Sequence, residues 1–210
     1  LWQGEPSTFS EPLDAHTAGI GMVHQHLSLV QTMTVQQNIS LGLKSKGYPF
    51  LSIADESEKI EKIAKKYDFD VTPQAVVNTL SLGEQQRVEI LRALYRNAKL
   101  LILDEPTAVL TPSETESFFK ILERLKAEGH SIVLITHRMS EIMRISDRVT
   151  ILRNGKKIST LTTKNTNPDE LSRLMIGSQR TSPVAKKNVD NKRKLLTLEN
   201  VSVKENDFIT

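Results

Sequence analysis

Apolar residues along this chain fall into short runs that stop at polar clusters, and between them lie longer stretches where they recur every three or four positions. Strand-like and helix-like segments in alternation indicate an α/β architecture with a mostly parallel sheet flanked by helices. Ala18–Val23 is small and apolar and predicts a buried strand that breaks at His24-Gln25-His26. Between Ser57 and Tyr67, Ile60, Ile63, Ala64 and Tyr67 share one helical face, with Lys and Glu opposite. Gln85 to Asn97 repeats that spacing with Val88, Leu91, Leu94 and Tyr95, and Ser81 with Glu84 forms a capping box that sets the helix start. Lys99–Leu103 ends in a Leu/Ile run and predicts a central parallel strand, buried on both faces, that stops at Asp104-Glu105-Pro106.

Thr111-Pro112-Ser113-Glu114 is a second capping box, with proline at the first helical position. It opens a helix with Phe118, Ile121, Leu122 and Leu125 as its core stripe, closing at Gly129. Ser131–Ile135 predicts another strand, ending at Thr136-His137, and a helical stretch follows around Glu141–Ile145. Val149–Arg153 and Lys156–Leu161 flank Asn154-Gly155, a pair suited to the positive φ angles of a tight hairpin. Asn167-Pro168-Asp169-Glu170 caps a further helix that runs to Gly177, and Leu195–Val203 reads as a fresh strand. In open α/β sheets ligands collect at the carboxyl ends of parallel strands, so Gln25, Asp104, Glu105 and His137 are expected to converge on one site.

Composition adds few constraints. With 38% apolar and 25% charged residues among 210, the chain has the make-up of a globular protein, and the absence of cysteine excludes disulfides and thiolate metal sites. The net charge of +3 does not point to nucleic acid, because its excess sits in Lys186, Lys187, Lys192, Arg193 and Lys194, a polar stretch read as a solvated linker. The first residues lack the pattern of a signal peptide, and no apolar run approaches the roughly 18 residues of a membrane-spanning helix, so any membrane role needs a partner.

Four segments resemble, in order and spacing, the motifs of ATP-binding-cassette ATPases. Gly21-Met22-Val23-His24-Gln25-His26 is similar to the Q-loop, and Leu80-Ser81-Leu82-Gly83-Glu84-Gln85-Gln86-Arg87 to the signature motif. Leu101-Ile102-Leu103-Asp104-Glu105-Pro106-Thr107 resembles the Walker B strand, and Thr136-His137 the switch histidine. Any one of these would be weak alone; together they identify the chain as a member of the family. The resemblance implies a P-loop NTPase fold of the cassette type, with an inserted helical subdomain at about 27–97. The Q-loop region, the Leu-Ser-Leu-Gly-Glu variant and Thr107-Ala108-Val109-Leu110-Thr111 look like the ATPases of bacterial ribose, galactose and nucleoside importers, often tandem cassettes. On that basis residues 1–177 are expected to be a partial first cassette, 178–194 a linker and 195–210 the opening of a second.

The resemblance also implies roles. Asp104 is the expected Mg²⁺ partner, directly or through water, because a hard cation takes carboxylate oxygens. Glu105 is the candidate general base, or the group that orients the attacking water. His137 would bond the γ-phosphate, and Gln25 would contact Mg²⁺ or the water and move with the helical subdomain. Ser81, Gly83 and Glu84 would face ATP held by an opposing cassette, since a capped helix N-terminus favours an anion. His24 and His26 alone are too few ligands for a metal site. The implied partners are transmembrane permease subunits, a second cassette in the same chain or a dimer mate, and indirectly a solute-binding protein, with the chain peripheral on the cytoplasmic face of the membrane. A non-transporter cassette protein acting on ribosomes or DNA is the alternative.

Leu82 stands where glycine is commoner, Glu84 where glutamine is, and Thr111 where the family's D-loop has aspartate. No Gly-x-x-x-x-Gly-Lys-Ser/Thr occurs in these residues. The lysine and backbone cradle for the β/γ-phosphates are therefore absent from them, and the chain is read as incomplete at its N-terminus. Alone it is expected neither to bind ATP tightly nor to hydrolyse it.

Overall fold

A computed structural model describes residues 1–43, 53–177, 199, 204–205 and 208–209. Contacts divide the chain into two units, Leu1–Met175 and Ile176–Thr210. In the first, the described residues form a parallel sheet of β1 (Ile20–Val23), β2 (Leu100–Asp104) and β3 (Ser131–Ile135), with β2 in the centre. Gly21 pairs with Leu101 and Leu101 with Ile132, so Val23, Leu101 and Leu103 share one face. That face enters one core with Val88 and Leu91 of α4 (Leu82–Tyr95) and Phe118, Leu122 and Leu125 of α5 (Pro112–Ala127).

Gly21 lets β1 pack close to α4: a Cβ there would lie 2.9 Å from the Ala93 methyl and 3.1 Å from that of Ala98. The opposite face carries Met22, Ile102, Val133 and Ile135, and three of them are exposed. The Leu/Ile run of β2 predicts burial on both faces; only Leu101 and Leu103 are fully buried, because α4 and α5 pack against the same side.

Between β1 and β2 lie α2 (Val35–Ser40), α3 (Ile53–Tyr67) and α4. In α3, Ile60, Ala64 and Tyr67 are buried, as their spacing predicts. The short α2 has too few residues to show a period, but Thr34 caps it and accepts from the backbone N–H of Gln37 over 3.2 Å. A six-residue α1 (Pro12–Thr17) precedes the sheet, and none of residues 1–17 is buried.

After β3 come α6 (Met139–Ile145), the hairpin β4 (Arg148–Arg153) and β5 (Lys156–Thr162), and α7 (Pro168–Ile176). Asn154 and Gly155 take φ of 52° and 71°, as the hairpin needs. Ile142, Val149, Ile151 and Leu171 form a second small core. Among the described residues of the second unit, β6 (Lys204–Glu205) pairs antiparallel with β7 (Phe208–Ile209). The linker at 178–194 lies outside the described residues, as does the expected strand at 195–203 except for Glu199.

Candidate functional site

The three parallel strands end side by side, and the residues just past those ends meet. Glu105 follows β2 in the left-handed backbone region, with φ of 43°. Its N–H donates to the Ile135 carbonyl at 2.9 Å, which extends the β2–β3 pairing by one residue. A non-glycine residue there costs on the order of 1 kcal/mol or more, and such strain gathers where a side chain must be aimed. The Glu105 carboxylate is bonded from both sides. His137 Nδ1, after β3, donates to Oε1 over 2.9 Å; Gln25 Nε2, after β1, donates to Oε2 over 3.4 Å. With Nδ1 spent as a donor, Nε2 is the ring nitrogen left for a ligand.

Gln25, Glu105 and His137 are thus brought together. Asp104, the last residue of β2, makes none of these bonds: strand alternation places it on the sheet face opposite Leu103, in line with Ile102. A cleft of about 310 Å³ opens beside Glu105, lined by His24, Gln25, Leu82, Gln85 and Val109 among others. It joins the loop after β1, the first turn of α4 and the loop after β2. No three His, Asp or Glu side chains among the described residues stand close enough together to hold a metal by themselves.

At the N-terminus of α4, Ser81 Oγ accepts from the Glu84 N–H over 3.2 Å, and Glu84 Oε2 accepts from the Ser81 N–H over 2.7 Å. Glu84 is thereby turned back on its own helix. Over the same helix end lies Glu114 of α5, which its place in the sequence marks only as a capping residue. Its Oε1 lies 3.5 Å from Ser81 Oγ and would lie 2.4 Å from a Cβ on Gly83. The N–H and hydroxyl of Thr111 bond its other oxygen and hold its carboxyl below the usual carboxylate range.

Behind the Gln25 loop, Glu89 of α4 is buried. Its Oε1 accepts from the Ser28 N–H over 2.8 Å, and Oε2 pairs with Arg92 at 2.5 Å. Burial pushes the Glu89 carboxyl up, against the opposing pull of Arg92 and the Ser28 N–H. Arg92 Nη1 also donates to the Ser28 carbonyl over 3.3 Å, so the chain leaving Gln25 is fastened to the helix that Ser81 caps. Glu89 sits within an apolar run of α4, and a charged residue at such a position is the one signal the sequence offers for it.

The family model described as ABC transporter matches residues 1–108. A nucleoside import ATP-binding protein (NupA) of Lactococcus lactis subsp. cremoris is 40% identical over 203 residues, covering 97% of this chain and 40% of that protein. A guanosine import ATP-binding protein (NupO) of Bacillus subtilis is 42% identical over 203 residues, with 97% and 40% covered. A galactose/methyl galactoside import ATP-binding protein (MglA) of Haemophilus influenzae is 37% identical over 209 residues, with 100% and 41% covered. The chain therefore spans about 40% of the length of these relatives. Among solved structures, a nucleotide-free ATP-binding cassette from an ABC transporter superposes with a TM-score of 0.63 at 25% identity, over 80% of this chain and 69% of that one. A cassette in its ADP conformation gives 0.63 at 27% identity, over 80% and 72%.

Proposed function

The chain belongs to the ATP-binding-cassette transporter family, and from that premise we propose that its full-length protein hydrolyses ATP to drive import of a sugar or nucleoside. The observation that carries the proposal is Glu105, held between Gln25 and His137 where three parallel strands end. Such hydrolysis asks a protein to position water and stabilise charge more than to form covalent bonds. Glu105 keeps lone pairs on both oxygens and is aimed by its backbone, as a group that accepts a proton from water or orients it must be. His137 offers Nε2 to the terminal phosphate. Gln25 touches Glu105 and leads into the segment that Glu89 and Arg92 fasten to α4, a route by which nucleotide state reaches the helical part of the cassette.

Asp104 and the Gln25 carbonyl oxygen supply hard donors of the kind Mg²⁺ takes, and Asp104 is not committed to a hydrogen bond within the Glu105 group. Bound there with ATP phosphates, the cation would neutralise charge building on the leaving oxygens. Ser81, Gly83 and Glu84 present a capped helix end to ATP held by a second cassette, of the same chain or of a dimer mate. Glu114 occupies part of that approach and must yield to a phosphate arriving at Gly83.

Permease subunits in the membrane are the partners this reading requires, with the chain docked peripherally on the cytoplasmic side. Among the described residues no helix is long and apolar enough to cross a membrane. The test is purification of the full-length protein from membranes: permease subunits should accompany it and ATP hydrolysis should respond to their solute. Recovery with ribosomes or DNA instead would overturn the importer reading.

A further inference from the structure

We propose that Glu141 is a positioning residue that clamps the loops carrying Glu105 and His137 into register. The inference rests on the reading of those two residues as the hydrolytic pair. Their own contact cannot set the register: it is open to water, with His137 66% and Glu105 31% exposed, and such exposed pairs contribute little. Beneath it lies a set of bonds, anchored on two buried side chains, that no motif of the sequence announces. Glu141, on the first turn of α6, is 3% exposed, and Thr107, just past Glu105, is 1% exposed.

The Glu141 carboxylate accepts a hydroxyl from each loop. Thr107 Oγ1 donates to Oε1, and Thr136 Oγ1 donates to Oε2 over 2.8 Å. Arg138 closes the ring: its N–H donates to Thr136 Oγ1 over 3.0 Å, and its Nη1 reaches the Thr107 carbonyl over 3.2 Å. Thr107 lies two residues after Glu105 and Thr136 one before His137, so one carboxylate sets both backbones. A carboxylate suits the place because two hydroxyl donors point at it, and it offers two acceptors without a proton of its own. Buried networks of this kind are rigid when every member is satisfied, and loosen when one is removed.

The test compares Glu141→Ala, Glu141→Gln, Thr107→Val and Thr136→Val in the full-length protein, by ATPase kinetics and by the ¹⁵N resonances of the His137 imidazole. Glu141→Ala should lower kcat on the order of 10²-fold per folded molecule, with KM for ATP changed less than about twofold, as for a misplaced catalytic group. Glu141→Gln, which keeps one acceptor, should fall between that variant and the parent. Each Thr→Val change should shift the His137 resonances in the same direction, and these two variants decide the matter if Glu141→Ala does not fold. Variants that melt earlier yet retain parental kcat and parental His137 resonances would overturn the clamp. If the parent hydrolyses no ATP, the hydrolytic reading alone fails, and the His137 resonances still decide whether Glu141 sets the register.

Discussion

The backbone N–H of Ser28 donates to Glu89 Oε1 over 2.8 Å, across 61 positions of sequence, and so ties the loop after Gln25 to the middle of α4. Burial raises the Glu89 carboxyl above its ordinary value of 4.5. A carboxyl raised on folding stabilises most below its unfolded value, and that contribution is lost as pH climbs through the raised folded value. The unfolding free energy of the parent minus that of Glu89→Gln should therefore be larger near pH 4.5 than near neutrality. Urea titrations of both proteins across that range check it, and a difference that grows with pH would contradict it.

Glu114 should behave with the opposite sign. The Thr111 N–H, and then its hydroxyl, hold the Glu114 carboxyl below 4.5, so its contribution is present above that value and is lost as pH falls. Glu114→Ala should cost stability at neutral pH and progressively less in acid. Thermal melts at matched salt read this directly.

Ser81→Ala removes the side chain that accepts from Glu84 N–H and should cost about 1 kcal/mol of stability. The same change leaves Glu84 its reciprocal bond, because that bond comes from the backbone N–H of residue 81. Denaturant melts measure the cost, and a loss near zero would mean that α4 is set by packing rather than by its cap.

Gly21→Ala drives a methyl into the contact between β1 and α4, 2.9 Å from Ala93. Overpacking of this kind costs about 1–3 kcal/mol. The Ala93→Gly partner change should recover part of that loss, which a double-mutant cycle resolves.

Residues whose neighbours in sequence are also their neighbours in space are legible in the sequence alone. The capping boxes at Ser81 and Thr111, the Asn154-Gly155 turn and the stripes of α3 and α5 form as their local spacing demands. Strand ends carrying polar residues locate Gln25, Glu105 and His137, because an open parallel sheet brings such ends together. What joins distant segments through buried polar atoms is not legible: Glu89 to Ser28, Glu141 to Thr107 and Glu114 over Gly83. Periodicity registers apolar faces and is silent on a lone carboxylate that a fold turns inward. The second face of β2 escapes for a related reason, since a Leu/Ile run does not say on which side helices pack.

The central claim is that Glu105 serves the water that attacks ATP. The most direct measurement is phosphate release by Glu105→Gln in the full-length protein, alongside its affinity for ATP. Turnover should fall on the order of 10²–10⁴-fold while ATP still binds as in the parent. Undiminished phosphate release from that variant would contradict the account.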